Sequence, residues 1–200
     1  MKLIELFVRQ PVLVNLLVAY PAENVSGGAL NGYRIGAYRE QPLRGDPAYL
    51  PPEAFVEVAA GDRDVLVSPH FTLGEFLCKQ EGEPRYVALS PALVLKLELL
   101  LEAVNAQGIP ARGLTVMSGF RTPFYNRAIG NTTDYSRHLW GDAADVFIDE
   151  DGDGRMDDLN GDGVRNVSDA QVLARVVEGL AAEGRPDYTA GGLASYLSLI

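Results

Sequence analysis

The chain has 200 residues, 47% of them apolar, a formal charge of −10 and a single cysteine. Such a chain is long enough for one sizeable core, too apolar to be disordered, and unable to carry an internal disulfide framework. Its acidity is local, because residues 142–169 hold ten acids against Arg155 and Arg165, a net of −8 that leaves −2 elsewhere. That pattern points to cation binding and, with no basic patch, excludes nucleic acid as a partner.

At the N-terminus, Glu5 and Arg9 interrupt the apolar run behind Lys2, so no clean signal peptide is read. Residues 11–20 are apolar but too short to span a membrane. Residues 1–67 read as a β-rich segment. Strand is expected over 12–18, broken at Pro21 and Gly27, over the alternating aromatic and small residues 31–38, and over 55–58. No catalytic constellation falls here, and the segment is expected to form a small β layer on the main domain, residues 68–200.

Residues 68–112 read as helical. Thr72 and Glu75 form a capping box, with the loop histidine His70 just before it, more often bonded to backbone than a zinc ligand. Ser90 and Pro91 open a stronger helix whose Leu93, Leu97, Leu100, Leu101 and Val104 make one apolar stripe, closed by Gly108 and Pro110. Cys78 lies in an apolar stretch and reads as a buried structural thiol. A buried strand is expected over 114–117 and a short helix from Pro123 to Ala128, which puts Arg121 at a strand-to-helix corner.

The stretch from Ser118 to Asp145 carries the chemistry. It holds His138, one of two histidines, and Asp145 at the head of the apolar run 146–148. Imidazole nitrogen and carboxylate oxygen are ligand types that a catalytic zinc uses, although such a pair is also a common satisfied polar contact. Arg121 could bind a carboxylate, stabilise an oxyanion, or serve in a salt bridge or helix cap. Trp140 either walls the cleft or fills core.

The next segment, D-E-D-G-D-G-R-M-D-D-L-N-G-D-G-V-R-N-V-S-D, contains two overlapping calcium-loop patterns over residues 149–169. One uses Asp149, Asp151, Asp153, Asp157 and Asn160, with Gly154 at the sharp turn. The other uses Asp158, Asn160, Asp162, the carbonyl of Val164 and Asp169, with Gly163 at the turn. A helix over 170–182 follows, so the second pattern resembles the loop and helix of a dockerin module. A solvated acidic loop is the alternative.

The combination S-G-F-R-T-P-F-Y-N from Ser118 and S-R-H-L-W-G-D-A-A-D from Ser136 resembles zinc peptidases of the D-alanyl-D-alanine carboxypeptidase and murein endopeptidase type. A looser resemblance spans residues 68–192, including S-P-H-F-T-L-G-E-F-L. It implies an α+β fold of the hedgehog/DD-peptidase kind, with a small antiparallel sheet and flanking helices. It also implies zinc on His138 and Asp145, substrate contacts from Arg121 and Ser136, peptidoglycan stem peptides as partners, and a periplasmic or extracellular bacterial location. The family uses a further histidine on a later strand and an acidic general base. No histidine follows His138, so the chain is expected to stop before that strand and to be impaired. The rival expectation is a non-catalytic, calcium-stabilised module that binds peptidoglycan or another partner.

Overall fold

A computed structural model describes residue 15 and residues 17–184. The architecture is α+β, with small antiparallel sheets and a few helices. Strand β1 (Ala19–Pro21) lies at the edge of a three-stranded sheet, where the missing N–H of Pro21 is harmless. Most of the strand expected over 12–18 lies outside the described residues, and the described Leu17 and Val18 precede β1 rather than forming it. The stretch 31–38 is not one strand, because Asn31 and Gly32 turn the chain between β2 (Ala29–Leu30) and β3 (Tyr33–Arg34).

The central strand of the larger sheet is β4 (Ala54–Val58), which buries Phe55 and Val58. Its other neighbour is β5 (Arg85–Val87), which corrects the reading of 68–112 as helical throughout. Pro84 cannot supply a helical N–H and biases its predecessor to extended backbone, while Tyr86 and Val87 favour a buried pleat. The sheet thus joins the N-terminal segment to the chain beyond residue 68. The Thr72–Glu75 capping box is present, yet it caps only a 3-10 turn, Leu73–Phe76.

Helix α1 (Pro91–Ala106) buries the expected stripe of Leu93, Leu97, Leu100, Leu101 and Val104. Ser90 occupies its N-cap position without a side-chain cap bond. Strand β6 (Thr115–Ser118) and helix α2 (Pro123–Ala128) follow, and β6 pairs antiparallel with β7 (Asp145–Phe147). The β6 strand is only half-buried, with Leu114 just before it taking the core position. Helix α3 (Val167–Ala182) starts earlier than expected because the Asn166 side chain accepts from Ser168 N–H and caps it. Leu173, Val176 and Leu180 of α3 join the core shared with α1. Residues 193–200, apolar in sequence, lie outside the described residues. No helix among the described residues is long and apolar enough to cross a membrane.

Candidate metal centre

The β6–β7 ladder aligns Ser118 with Asp145 after an irregularity between Val116 and Ser118. Such a bulge re-aims side chains at a strand end. The chain then turns, and the Arg121 N–H donates to the His138 carbonyl at 3.0 Å, tying the S-G-F-R corner to the histidine loop. His138 rides on a 3-10 turn, Arg137–Trp140, ended by Gly141 in the left-handed conformation. A Cβ at Gly141 would sit 1.8 Å from the Ala88 carbonyl oxygen, and the Gly141 carbonyl accepts from Ser90 N–H at 2.9 Å. Only glycine lets the loop lie flush on the segment that opens α1.

The His138 Nδ1 lies 2.7 Å from the Gly119 carbonyl oxygen. A carbonyl only accepts, so Nδ1 carries the hydrogen, and in the neutral ring Nε2 has the lone pair. That Nε2 stands 3.5 Å from Asp145 Oδ1. Two ligands on a tetrahedral zinc at ordinary bond lengths are separated by about 3.3 Å, so the pair fits such an ion. Asp145 Oδ2 accepts from Arg121 Nη2 at 3.0 Å, and Arg121 Nε donates to Ser118 Oγ at 3.0 Å. The side chains of His138, Asp145 and Arg121 are 13%, 15% and 17% exposed, so the cluster is reachable yet poorly solvated. Among the described residues, no third His, Cys, Asp or Glu joins this pair in a metal-sized group.

Arg121 therefore meets the metal-ligand candidate Asp145. Ser136 stands at the N-cap of the histidine turn without a side-chain cap bond. His70 departs from expectation: it bonds no backbone group through its ring, its Nδ1 lying 2.6 Å from Glu98 Oε2 of α1. Trp140 is buried, and its indole N–H donates to the Leu50 carbonyl at 2.7 Å.

The expected metal residues of the acidic segment form two turns of one design. Asp149 Oδ1 accepts from Gly152 and Asp153 N–H and Oδ2 from Gly154 N–H, and Asp158 does the same with Gly161, Asp162 and Gly163. Asp149, Asp151 and Asp153 each place an oxygen within 4.8 Å of the others. Arg165 binds two of the three, Asp153 Oδ2 at 2.5 Å and Asp151 Oδ2 at 2.8 Å, with Asp157 Oδ1 at 3.7 Å. The Arg165 hydrogen bond holds the Asp151 carboxyl below its usual range. In the second turn Asn160 Oδ1 accepts from Asp162 N–H, and the Val164 carbonyl accepts from Asn166 Nδ2. Asp169 is fully buried, with backbone N–H groups of Leu159, Asn160 and Asn166 on its carboxylate. It is the capping-box acid of α3 in this geometry and, unlike Asp149 and Asp158, is shut off from solvent.

Sequence reasoning gave the N-terminal segment no part in the site, yet that segment braces the histidine loop. Tyr38 Oη donates to the Leu139 carbonyl at 2.7 Å, and Tyr135 Oη donates to the Gln41 carbonyl at 3.1 Å. The Arg137 guanidinium stacks on Tyr49, binds the Ala48 carbonyl and pairs with Asp142. An open groove of about 570 Å³ beside the loop is lined by Tyr38, Arg39, Glu40, Gln41 and Tyr135. Gly119 and Ser118 were also missed as contributors, although the S-G of the S-G-F-R motif was their signal.

Residues 69–159 match the model of the Peptidase M15 family. The match supports a zinc peptidase-like function, and peptidases of this family act on peptidoglycan peptides. It takes in Arg121, Ser136, His138 and Asp145 and most of the first acidic turn, but not α3. Neither the curated proteins nor the solved structures contain a match to the chain.

Proposed function

We propose that residues 68–200 form a zinc peptidase-like unit of the M15 type, braced by residues 1–67, that acts on D-amino-acid-containing stem peptides of peptidoglycan. The observation that carries this reading is His138 Nε2 facing Asp145 Oδ1 at 3.5 Å, inside the matched segment. These two side chains would hold the metal. A bound zinc supplies Lewis acidity toward a peptide carbonyl and toward water. Arg121 keeps Asp145 turned toward His138, and its guanidinium, beside the pair, would hydrogen-bond a substrate oxygen. The Ser136 hydroxyl supplies a further substrate contact. Such a substrate implies work outside the bacterial cytoplasmic membrane.

A catalytic zinc ordinarily takes three protein ligands. With two in reach among the described residues, the expectation is weak zinc binding and low turnover, and the second reading is a binding module for the same peptides. The acidic segment 149–169 is proposed to take calcium, with Asp149, Asp151, Asp153, Asp158, Asn160 and Asp162 as the accessible oxygens. The supporting feature is the need of those carboxylates for a positive partner, met for the first turn by Arg165. The functional test is hydrolysis of a muropeptide ending in D-Ala-D-Ala, followed by mass spectrometry with and without added zinc. Zinc-dependent loss of a terminal residue, or cleavage within the peptide, that disappears in His138→Ala supports the peptidase. Tight peptide binding without any cleavage supports the module, and neither binding nor cleavage contradicts both.

A further inference from the structure

We infer that the capped turn Leu73–Phe76 is a positioning element for His138, acting through Gly119. This rests on the zinc-site reading for its purpose. The S-P-H-F-T-L-G-E-F-L stretch has no chemistry of its own in that reading, and its one histidine is engaged by Glu98. Its backbone, however, meets the site directly.

The connection runs through tight contacts. Glu75 Oε2 accepts from Thr72 N–H at 2.6 Å and from Thr72 Oγ1 at 2.9 Å, which fixes the turn. Phe76 is fully buried, so the end of the turn is anchored in the core. The Phe76 carbonyl accepts from Phe120 N–H at 2.9 Å. A Cβ on Gly119 would lie 2.8 Å from Phe76 Cα and 2.9 Å from Phe76 O, so Gly119 sits flush on that backbone. From this seat the Gly119 carbonyl takes the His138 Nδ1 hydrogen at 2.7 Å. The carbonyl sets both the tautomer and the ring orientation, and so presents the Nε2 lone pair to Asp145. A backbone acceptor is only as well placed as the chain beneath it, and here that chain is the capped turn.

The test uses the full chain, with ¹⁵N-labelled histidine NMR at alkaline pH in the absence of zinc, and zinc titration calorimetry alongside. The parent is expected to show His138 as the single Nδ1–H tautomer. Gly119→Ala must push the segment off Phe76, so a mixture with the Nε2–H tautomer is expected, with zinc affinity lower by about 10–100-fold. Glu75→Ala, remote from the pair, is expected to shift the tautomer the same way by less, and it keeps the test open should Gly119→Ala fail to fold. Val176→Ala in α3 serves as a control that destabilises without touching the turn, and it should leave the tautomer unchanged. An unshifted tautomer in the folded Gly119→Ala and Glu75→Ala chains, or an equal shift in Val176→Ala, overturns the inference. A parent that binds no zinc yet shows the predicted tautomer changes contradicts the zinc reading and leaves the positioning role standing.

Discussion

Arg121 and Asp145 form a half-buried ion pair at 3.0 Å, across the corner where β6 gives way to α2. The pair leaves one oxygen of Asp145 on the arginine and the other on His138. The same guanidinium is fixed on its far side by Ser118 Oγ. An arginine placed this way organises a carboxylate for a cation and neutralises part of its charge when no cation is there.

Arg121→Met is expected to lose about 1.5–3 kcal/mol of stability, since it strips a charged hydrogen bond from a poorly solvated carboxylate. Asp145→Asn alone should cost a similar amount, and the double variant should cost less than the sum, because each single change leaves a partner behind. Urea unfolding of the four chains measures this. Additive losses would mean that the pair is not coupled.

Gly141→Ala should cost at least about 2 kcal/mol and detach the histidine loop. The added methyl would strike the Ala88 carbonyl, and the residue holds φ at 65°. Chemical unfolding gives the loss, and the ¹⁵N signals of His138 report the loop. Parent-like stability would show that the loop does not rest on the segment before α1.

The site was legible in its residue types and not in its supports. His138, Asp145 and Arg121 stand together as the motif spacing implied, because a strand, a corner and a glycine-ended turn are local features. The Leu93–Val104 stripe and the Pro123–Ala128 helix were legible for the same reason. The β5 strand was not, since its three residues are held by pairing with β4 far back in the chain. Tyr38, Tyr49 and the Leu50 carbonyl brace the histidine loop from about a hundred residues away, and no periodicity encodes such contacts. Asp169 reads from spacing as a calcium ligand, and its place as the capping-box acid of α3, with three N–H groups on its carboxylate, was not legible there.

Acid should loosen the contact between the N-terminal segment and the loop before the histidine. Hydrogen bonds from Arg127, and then from Arg39, hold the Asp134 carboxyl below its ordinary value of 3.8. A depressed folded value contributes stability that is present above the unfolded value and is lost as pH falls through the folded one. The loss therefore falls below pH 3.8, and Arg127→Met should move the acid limb of the stability curve upward. Thermal melts from pH 2 to 5 measure it, and an unmoved limb would show that the arginine contributes nothing.

Calcium should raise the melting temperature through residues 149–169. At a hundredfold excess over the dissociation constant, binding to the folded chain alone stabilises by about 2.7 kcal/mol. Asp162→Ala should remove most of that gain, and His138→Ala should leave it intact. Arg165→Met should make the chain less stable in chelator and more responsive to calcium, because the first turn loses its tethered cation. Melting curves in calcium and in chelator decide this. Identical curves for the parent and for Arg165→Met would leave a solvated acidic loop.

The central claim, that His138 and Asp145 are a metal-binding pair, is tested most directly by calorimetric titration of zinc into the metal-free chain in chelator-treated buffer. One weak site is predicted in the parent and in Asp162→Ala. It should be abolished in His138→Ala and weakened at least tenfold in Asp145→Asn, each change removing one of two ligands. No zinc site in the parent, or one that survives His138→Ala unchanged, would contradict the account.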